Sequence, residues 1–191
     1  MRFIGALAIV GLLGACAQGE EDNMSASVGD APGLEQGAST QSPPALATDH
    51  DALLASDDPE LAANKRLVYD MYRTVLQAGL ADRAGEFIAE GYIQHNPLAA
   101  QGLAGIQEYV RATRPQRELR DRIELPLIHM MAEGDYVQMA FARPETDSNG
   151  QTYYSTWFDL FRIEDGKIIE HWDPMLKTDT PIDPNDKKVE Q

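Results

Sequence analysis

The first folded part of the chain has the hydrophobic pattern of helices. From Asp58-Pro59 onward, apolar residues recur every three or four positions until Gly79, which predicts one long amphipathic helix. Two shorter helices are expected after it, one capped by Asp82 and one from Leu103 to Ala112. The side chains that this pattern places on the core-facing sides of these two helices are Phe87, Ile88, Ile106, Tyr109 and Val110.

After Pro115 the pattern becomes that of extended strands. Apolar and polar residues alternate from Leu119 to Met131, and His129 shares a face with aliphatic residues, so we expect it in the core. A further strand is predicted from Tyr136 to Arg143. Helices first and strands last predict an α+β fold, with a curved antiparallel sheet packed on three N-terminal helices.

The last two strands are predicted to form a hairpin from Thr152 to Ile163 and from Lys167 to Met175. An Asp-Gly pair between two apolar, aromatic-rich segments is a strong hairpin signal. A two-residue loop would pair Asp159 with Trp172, whereas a three-residue loop would pair Asp159 with His171. The loop length therefore decides which side chains share a face.

We expect the three-residue loop, with Ile163 opposite Lys167. Glu-Asp suits a type I turn, and Gly166 supplies the positive φ that the following bulge needs. In this register one face of the hairpin carries Trp157, Asp159, His171 and Asp173.

Residues 1–15 have the features of a secretory signal peptide. One positive charge, Arg2, precedes an apolar segment that is too short to span a membrane. The sequence Leu13-Gly14-Ala15-Cys16 resembles the lipobox of bacterial lipoproteins, which implies a lipid on Cys16, a membrane anchor and export to the cell envelope. Cys16 is the single cysteine, so no internal disulfide can form.

Residues 16–58 are expected to be a disordered acidic tether. They contain nine acidic residues and no lysine, arginine or aromatic residue, so they cannot bury enough apolar surface to fold. Without the signal and the tether, 59–191 keeps 22 acidic and 15 basic residues, a net charge of −7. This segment is long enough for one domain, and its charge argues against nucleic acid as a partner.

Several local phrases of residues 59–191 resemble the SnoaL-like, polyketide-cyclase or aldol-condensation branch of the NTF2-like superfamily. Each phrase alone is a weak signal, and the resemblance rests on their order and spacing along the chain. The phrases are Asn64-Lys65 with Val68, Tyr69 and Tyr72; Tyr92 to Pro97 followed by Gly102 and Gly105; Ala132 to Val137; and Asp159 to Asp173. The resemblance implies a cone-shaped domain in which a curved sheet and three helices enclose one pocket.

Aldol-type chemistry needs a base beside a carbonyl and a donor for the enolate oxygen, and it needs no cofactor. The resemblance implies that Asp173 is the acid/base residue and that His95 is its partner in the pocket. It departs at Asp159, where the cyclases tend to have a histidine, so the reaction itself stays open. The other side chains expected to line the pocket are Tyr72, Tyr92, Trp157, Asp159 and His171.

Two main kinds of function remain open from the sequence, beside a third and weaker one, an assembly protein of the cell envelope. One is a cyclase, aldol-type lyase or isomerase that acts on a small apolar carbonyl compound. The other is a non-catalytic module that binds an apolar ligand or forms a homodimer through its outer sheet face. No nucleotide motif is present, and the His and Asp spacing carries no metal-ligand signature, so we expect neither a cofactor nor a metal.

Overall fold

The computed structural model describes residues 42–175. The predicted signal peptide and Cys16 lie outside the described residues. Among those described, no helix has the length and apolar character to cross a membrane. The helical elements are α1 (His50–Leu54), α2 (Pro59–Met71) with a π-helical continuation (Tyr72–Gln77), a 3-10 segment (Ala81–Glu86) and α3 (Gly102–Thr113). The strands are β1 (Ile88–Gln94), β2 (Leu127–Glu133), β3 (Tyr136–Thr146), β4 (Thr152–Glu164) and β5 (Lys167–Trp172).

The long predicted helix is present, and its two ends have identifiable causes. The Asp58 carboxylate accepts hydrogen bonds from the backbone of the first turn, and Pro59 occupies a position where no amide hydrogen is needed. The helix widens into a π-helical segment at Tyr72 and stops at Gly79, whose φ is +70°. A side chain at Gly79 would also meet the carbonyl of Pro115 at 2.7 Å.

The five strands form one curved sheet in the order β1-β5-β4-β3-β2, with the helices on its inner face. Alternate residues of β3 point inward, so Val137, Met139 and Phe141 belong to the same buried core as Val68 and Val75 of the long helix. The predicted α+β cone with N-terminal helices is therefore confirmed. One pairing differs from the prediction, because β1 runs parallel to β5.

The prediction missed strand β1, whose first residues were assigned to a helix. Ile88 is buried, as expected, but it begins the strand. Asp82 lies inside the 3-10 turn and does not cap it; its carboxylate accepts a hydrogen bond from Arg111 of α3 instead. In α3, Val110 is buried as predicted, whereas Tyr109 is exposed.

The strand predicted from Leu119 to Met131 is present only from Leu127 onward. A register irregularity between Leu127 and His129 interrupts the alternation on which the prediction rested. His129 is consequently exposed, and the expectation that it belongs to the core is wrong.

The end of the predicted tether is part of the fold. Helix α1 is capped by Asp49, and its His50 and Leu54 are buried. The buried Lys65 of α2 donates to the carbonyls of Leu53 (2.7 Å) and Ala55, which holds the C-terminal end of α1. Residues 50–54 therefore contradict the prediction of disorder.

Candidate functional site

The β4–β5 hairpin has a two-residue loop, so the predicted three-residue loop is wrong. Asp165 and Gly166 both have positive φ, and Glu164 pairs with Lys167. Further along, Ile163 pairs with Ile168 but Arg162 pairs with Glu170, so one extra residue lies between them on β5. This bulge shifts the register by one residue.

The bulge restores the face that the sequence analysis predicted. With a two-residue loop alone, Asp159 and His171 would point to opposite sides of the sheet. The extra residue on β5 returns His171 to the side of Asp159, and both are buried there. The common face is therefore as predicted, although the loop that was expected to produce it is not.

This face lines a cavity of about 690 Å³ between the sheet and the helices. That volume is in the range of small-molecule binding sites. Its walls are mainly apolar and aromatic, and β1, β4 and β5 contribute several of its polar groups. The predicted pocket residues that line it are Tyr72, Tyr92, Trp157, Asp159, His171 and Asp173.

Asp159 is the most deeply buried acidic side chain of this cavity, with 3% of its surface exposed. Its Oδ2 accepts a hydrogen bond from the Tyr72 hydroxyl at 2.6 Å. Its Oδ1 accepts from the Trp157 indole nitrogen at 3.2 Å and lies 2.9 Å from His171 Nε2. These neighbours replace the water that the carboxylate loses on burial.

His171 connects β5 to the end of β1. Its ring stacks on Phe161 with the centroids 4.6 Å apart, and its Nδ1 lies 3.0 Å from Gln94 Oε1. Gln94 is itself buried and donates through its Nε2 to the Tyr92 hydroxyl at 3.2 Å. Tyr92, Gln94, His171 and Asp159 thus form one continuous chain of hydrogen-bonding groups.

The surroundings of both tyrosines in the network raise their pKa, so each phenol stays protonated well above neutral pH. Burial raises the pKa of Tyr72 above its ordinary value, and the neighbouring charge of Asp159 raises it further. Burial also raises the pKa of Tyr92, with smaller contributions from the charges of Asp159 and Asp173. Each phenol is therefore a hydrogen-bond donor at neutral pH.

Asp173 lies at the rim of the same group and is half-buried. Its Oδ2 accepts from Asn96 Nδ2 at 2.8 Å, and its Oδ1 accepts from the Met175 backbone at 3.2 Å. Asp159, His171 and Asp173 each offer one atom within 4.8 Å of the others. At this separation, one water molecule could carry a proton between Asp173 and the buried pair.

His95 lies outside the cavity, so the expectation that it faces Asp173 in the pocket is wrong. Its ring stacks on Trp172 with a centroid distance of 4.5 Å, and its Nε2 lies 2.9 Å from Glu170 Oε2. The reason is the alternation at the end of β1, where Gln94 points inward and the next side chain must point outward.

Gln94 is the site residue that the sequence analysis missed. The signal was available, because Tyr92 was expected in the pocket and a residue two positions further along a strand faces the same way. A match to a family phrase does not by itself reveal this alternation, which applies only once Ile88–Gln94 is identified as a strand.

The group of Asp159, His171 and Asp173 also has the donor atoms of a small metal site. The Asp159 oxygens are already occupied, since they receive hydrogen bonds from Tyr72 and Trp157 and face His171 Nε2. A cation would have to displace these neutral donors from a buried carboxylate. The arrangement therefore fits proton transfer better than metal coordination.

Comparison with known proteins gives one family match. The profile of the SnoaL-like polyketide cyclase family matches residues 66–175, which is more than half of the chain. No curated protein matches the chain in sequence.

Among solved structures, the chain is similar to TsrD from Streptomyces laurentii, with 22% identity over 59% of this chain and 87% of that one, and a TM-score of 0.41. It is also similar to an LEH-like epoxide hydrolase of M. tuberculosis, with 17% identity over 60% and 84% of the two chains and a TM-score of 0.44. A protein of unknown function with a cystatin-like fold from Xanthomonas campestris has 26% identity over 58% and 88%, and a TM-score of 0.42. Likeness at this level transfers no residue role.

Proposed function

Because this chain belongs to the SnoaL-like polyketide cyclase family, we propose that it is a cofactor-free enzyme acting on a small apolar carbonyl compound in its cavity. The reaction is proton transfer beside a carbonyl group, of the aldol or a related type. The observation that carries the proposal is a buried acid/base group, Asp159, His171 and Asp173, that opens into a mainly apolar cavity.

Asp173 is the base in this proposal. It is less buried than Asp159, and among residues 42–175 each of its oxygens accepts one hydrogen bond, which leaves lone pairs that can take a proton. The apolar walls would hold the rings of a flat ligand and bring the carbon next to its carbonyl group towards this carboxylate.

The Tyr92 hydroxyl is the donor to the enolate oxygen. It accepts a hydrogen bond from Gln94 and keeps its own hydrogen, for which the described residues provide no acceptor. A tyrosine phenol is protonated at neutral pH, and burial raises the pKa of Tyr92 further above that range. A buried donor that is already oriented costs little reorganisation when the enolate forms.

Deuterium exchange tests the proposal without knowledge of the natural substrate. The purified protein is incubated in D₂O with 1-tetralone, a flat aromatic ketone, and incorporation of deuterium beside the carbonyl is followed by NMR. We expect exchange above the buffer rate, and a loss of about 100-fold in Asp173→Asn, the scale of general acid/base catalysis.

Asp165→Asn is the matched control, because it makes the same chemical change in the β4–β5 turn at a positive φ that asparagine tolerates. It should exchange at the wild-type rate. If 1-tetralone binds but neither the wild type nor Asp165→Asn accelerates its deuterium exchange, the non-catalytic binding module becomes the better description of this cavity.

We propose in addition that the protein forms a homodimer through the outer face of its sheet. The supporting observation is a group of exposed apolar side chains on that face, Met131, Tyr136 and Phe158. Sedimentation equilibrium should give a dimer for the wild type and a monomer for Phe158→Lys. Tyr153→Lys is the control, since Tyr153 is equally exposed but lies on the other face of β4; dissociation of both variants would contradict the proposal.

A lipid on Cys16 and a location in the cell envelope complete the proposal. They rest on the sequence of residues 1–16 alone. Mass spectrometry of the N-terminal peptide from the native host tests them, with Cys16→Ser as control. An N-terminus that starts before Cys16, or an unmodified cysteine, would contradict the anchor.

A further inference from the structure

We propose that Gln94 is a positioning residue that determines which ring nitrogen of His171 carries a proton, and that one more proton is thereby shared between His171 and Asp159. Gln94 contacts no reacting atom in this proposal; it acts through His171. The chemical use of the shared proton rests on the proposed function, but the test of the proton's position does not.

The orientation of the Gln94 amide follows from its neighbours. The backbone N–H of Asn96 points at one side-chain atom of Gln94 from 3.0 Å, and a backbone N–H can only donate, so that atom is the oxygen. The amide nitrogen then donates to Tyr92. The backbone of Gln94 is held in turn by the Gln101 side chain, through bonds of 2.9 and 2.7 Å.

The protonation of His171 follows from that orientation. Its Nδ1 lies 3.0 Å from an oxygen that can only accept, so Nδ1 must carry a hydrogen. In a neutral ring the lone pair would then be on Nε2, which faces Asp159 Oδ1 at 2.9 Å. Two lone pairs at that distance repel, so the contact requires a proton between the two atoms.

The shared proton can reside on either partner. The pair is then an imidazolium with a carboxylate, or a neutral ring with a carboxylic acid, and it holds the same number of protons in both descriptions. The hydrogen bonds from Tyr72 and Trp157 stabilise a charged Asp159 without supplying a mobile charge of their own. The result is a proton donor inside an apolar cavity.

In an aldol step this donor completes the proton balance. Asp173 removes the proton from the carbon, the carbon–carbon bond forms, and the attacked carbonyl becomes an alkoxide. The Asp159–His171 pair gives its proton to the alkoxide. Asp173, whose carboxylate lies within 4.8 Å of the pair, then returns the proton that it took from the carbon, so no external acid or cofactor is consumed.

The position of the proton can be observed by long-range ¹H–¹⁵N correlation NMR of the histidine rings. The chain has only four histidines, so single substitutions assign them. We expect Nδ1 of His171 to be protonated in the wild type. Gln94→Leu removes the acceptor at similar size, so Nδ1 should lose its proton to solvent, while the shared proton stays on Nε2 and is donated to Asp159. Gln94→Glu keeps an acceptor and should restore a protonated Nδ1.

His50 is an internal reference in the same spectra. Its Nδ1 lies 2.6 Å from the Tyr69 hydroxyl, which accepts from the Ile123 backbone and is left to donate to that nitrogen. His50 should therefore show the opposite tautomer and should not respond to changes at Gln94.

Two results would overturn the inference: an unprotonated Nδ1 of His171 in the wild type, or a protonated Nδ1 that survives in Gln94→Leu. If the leucine variant fails to fold, the wild type and Gln94→Glu still decide the question. If Nδ1 of His171 is protonated as expected but the protein does not accelerate deuterium exchange of 1-tetralone, the inference still holds. That result counts against the proposed function alone.

Discussion

The hydrogen bond from Tyr72 to Asp159 predicts a mutational effect that disappears at high pH. Both side chains are buried, and the donor–acceptor distance is 2.6 Å. Removing the hydroxyl in Tyr72→Phe leaves the carboxylate with one donor fewer, which should cost about 2 kcal/mol of unfolding free energy at pH 8. The ring itself remains, so its stacking on Phe141 at 5.0 Å is preserved.

Above pH 10 this cost should shrink. Burial raises the pKa of Tyr72 in the folded protein, whereas in the unfolded chain the phenol ionises at about pH 10. The unfolded wild type then releases a proton that the folded wild type retains, so its stability falls by about 1.4 kcal/mol per pH unit from this one group. Phenylalanine has no such proton, so its stability does not fall in this way. The two proteins should become equally stable at about pH 11.5, where the loss in the wild type equals the cost of the substitution.

Urea unfolding of both proteins at pH 8, 9, 10, 10.5, 11 and 11.5 measures the effect as a difference, in which all other titrating groups cancel. Tyr153→Phe, at an exposed position, should change stability little throughout. A cost that stays constant or grows between pH 10 and 11.5 would refute the argument, because it would mean that folding does not raise the pKa of the Tyr72 phenol.

Three further results are expected from the fold. Gly79→Ala should destabilise the protein by about 2–3 kcal/mol, and more than Gly150→Ala, because both glycines have positive φ but only the first would push a methyl group against backbone. Lys65→Met should speed amide hydrogen exchange in α1 while α2 stays protected, because the Lys65 ammonium group holds the C-terminal end of α1. Unchanged exchange rates in α1 would contradict this. Hydrogen bonds from His95 and then Arg162 lower the pKa of Glu170. The stability that this group contributes is therefore present above about pH 4.5 and is lost as the pH falls below that value. An acid unfolding profile of Glu170→Gln identical to that of the wild type would contradict this.

The parts of the fold that the sequence predicted depend on local chemistry. Asp58 and Pro59 begin the long helix because capping involves only the neighbouring turn. Asp165-Gly166 forms a hairpin because these residues tolerate positive φ. The position of Gln94 was predictable on the same grounds, since alternation along a strand is local; it was missed because β1 was not identified as a strand.

The parallel pairing of β1 with β5 could not be predicted in this way. It joins segments about 80 residues apart, and its hydrogen bonds involve backbone groups that every residue has. No local pattern distinguishes this pairing from an antiparallel one. This pairing also brings Gln94 next to His171. That contact of the candidate site therefore could not be predicted from the sequence either.

The sequence by itself determined the α+β class, the long first helix, the final hairpin and the polar residues available to a pocket, because each depends on hydrophobic period or on the preferences of one or two residues. Only the tertiary structure decided which of those residues meet. The bulge on β5 turns His171 toward Asp159, and the end of β1 turns Gln94 inward and His95 outward. A shift of one residue reverses the face of a strand, and the choice between the two faces is made by packing across the whole sheet.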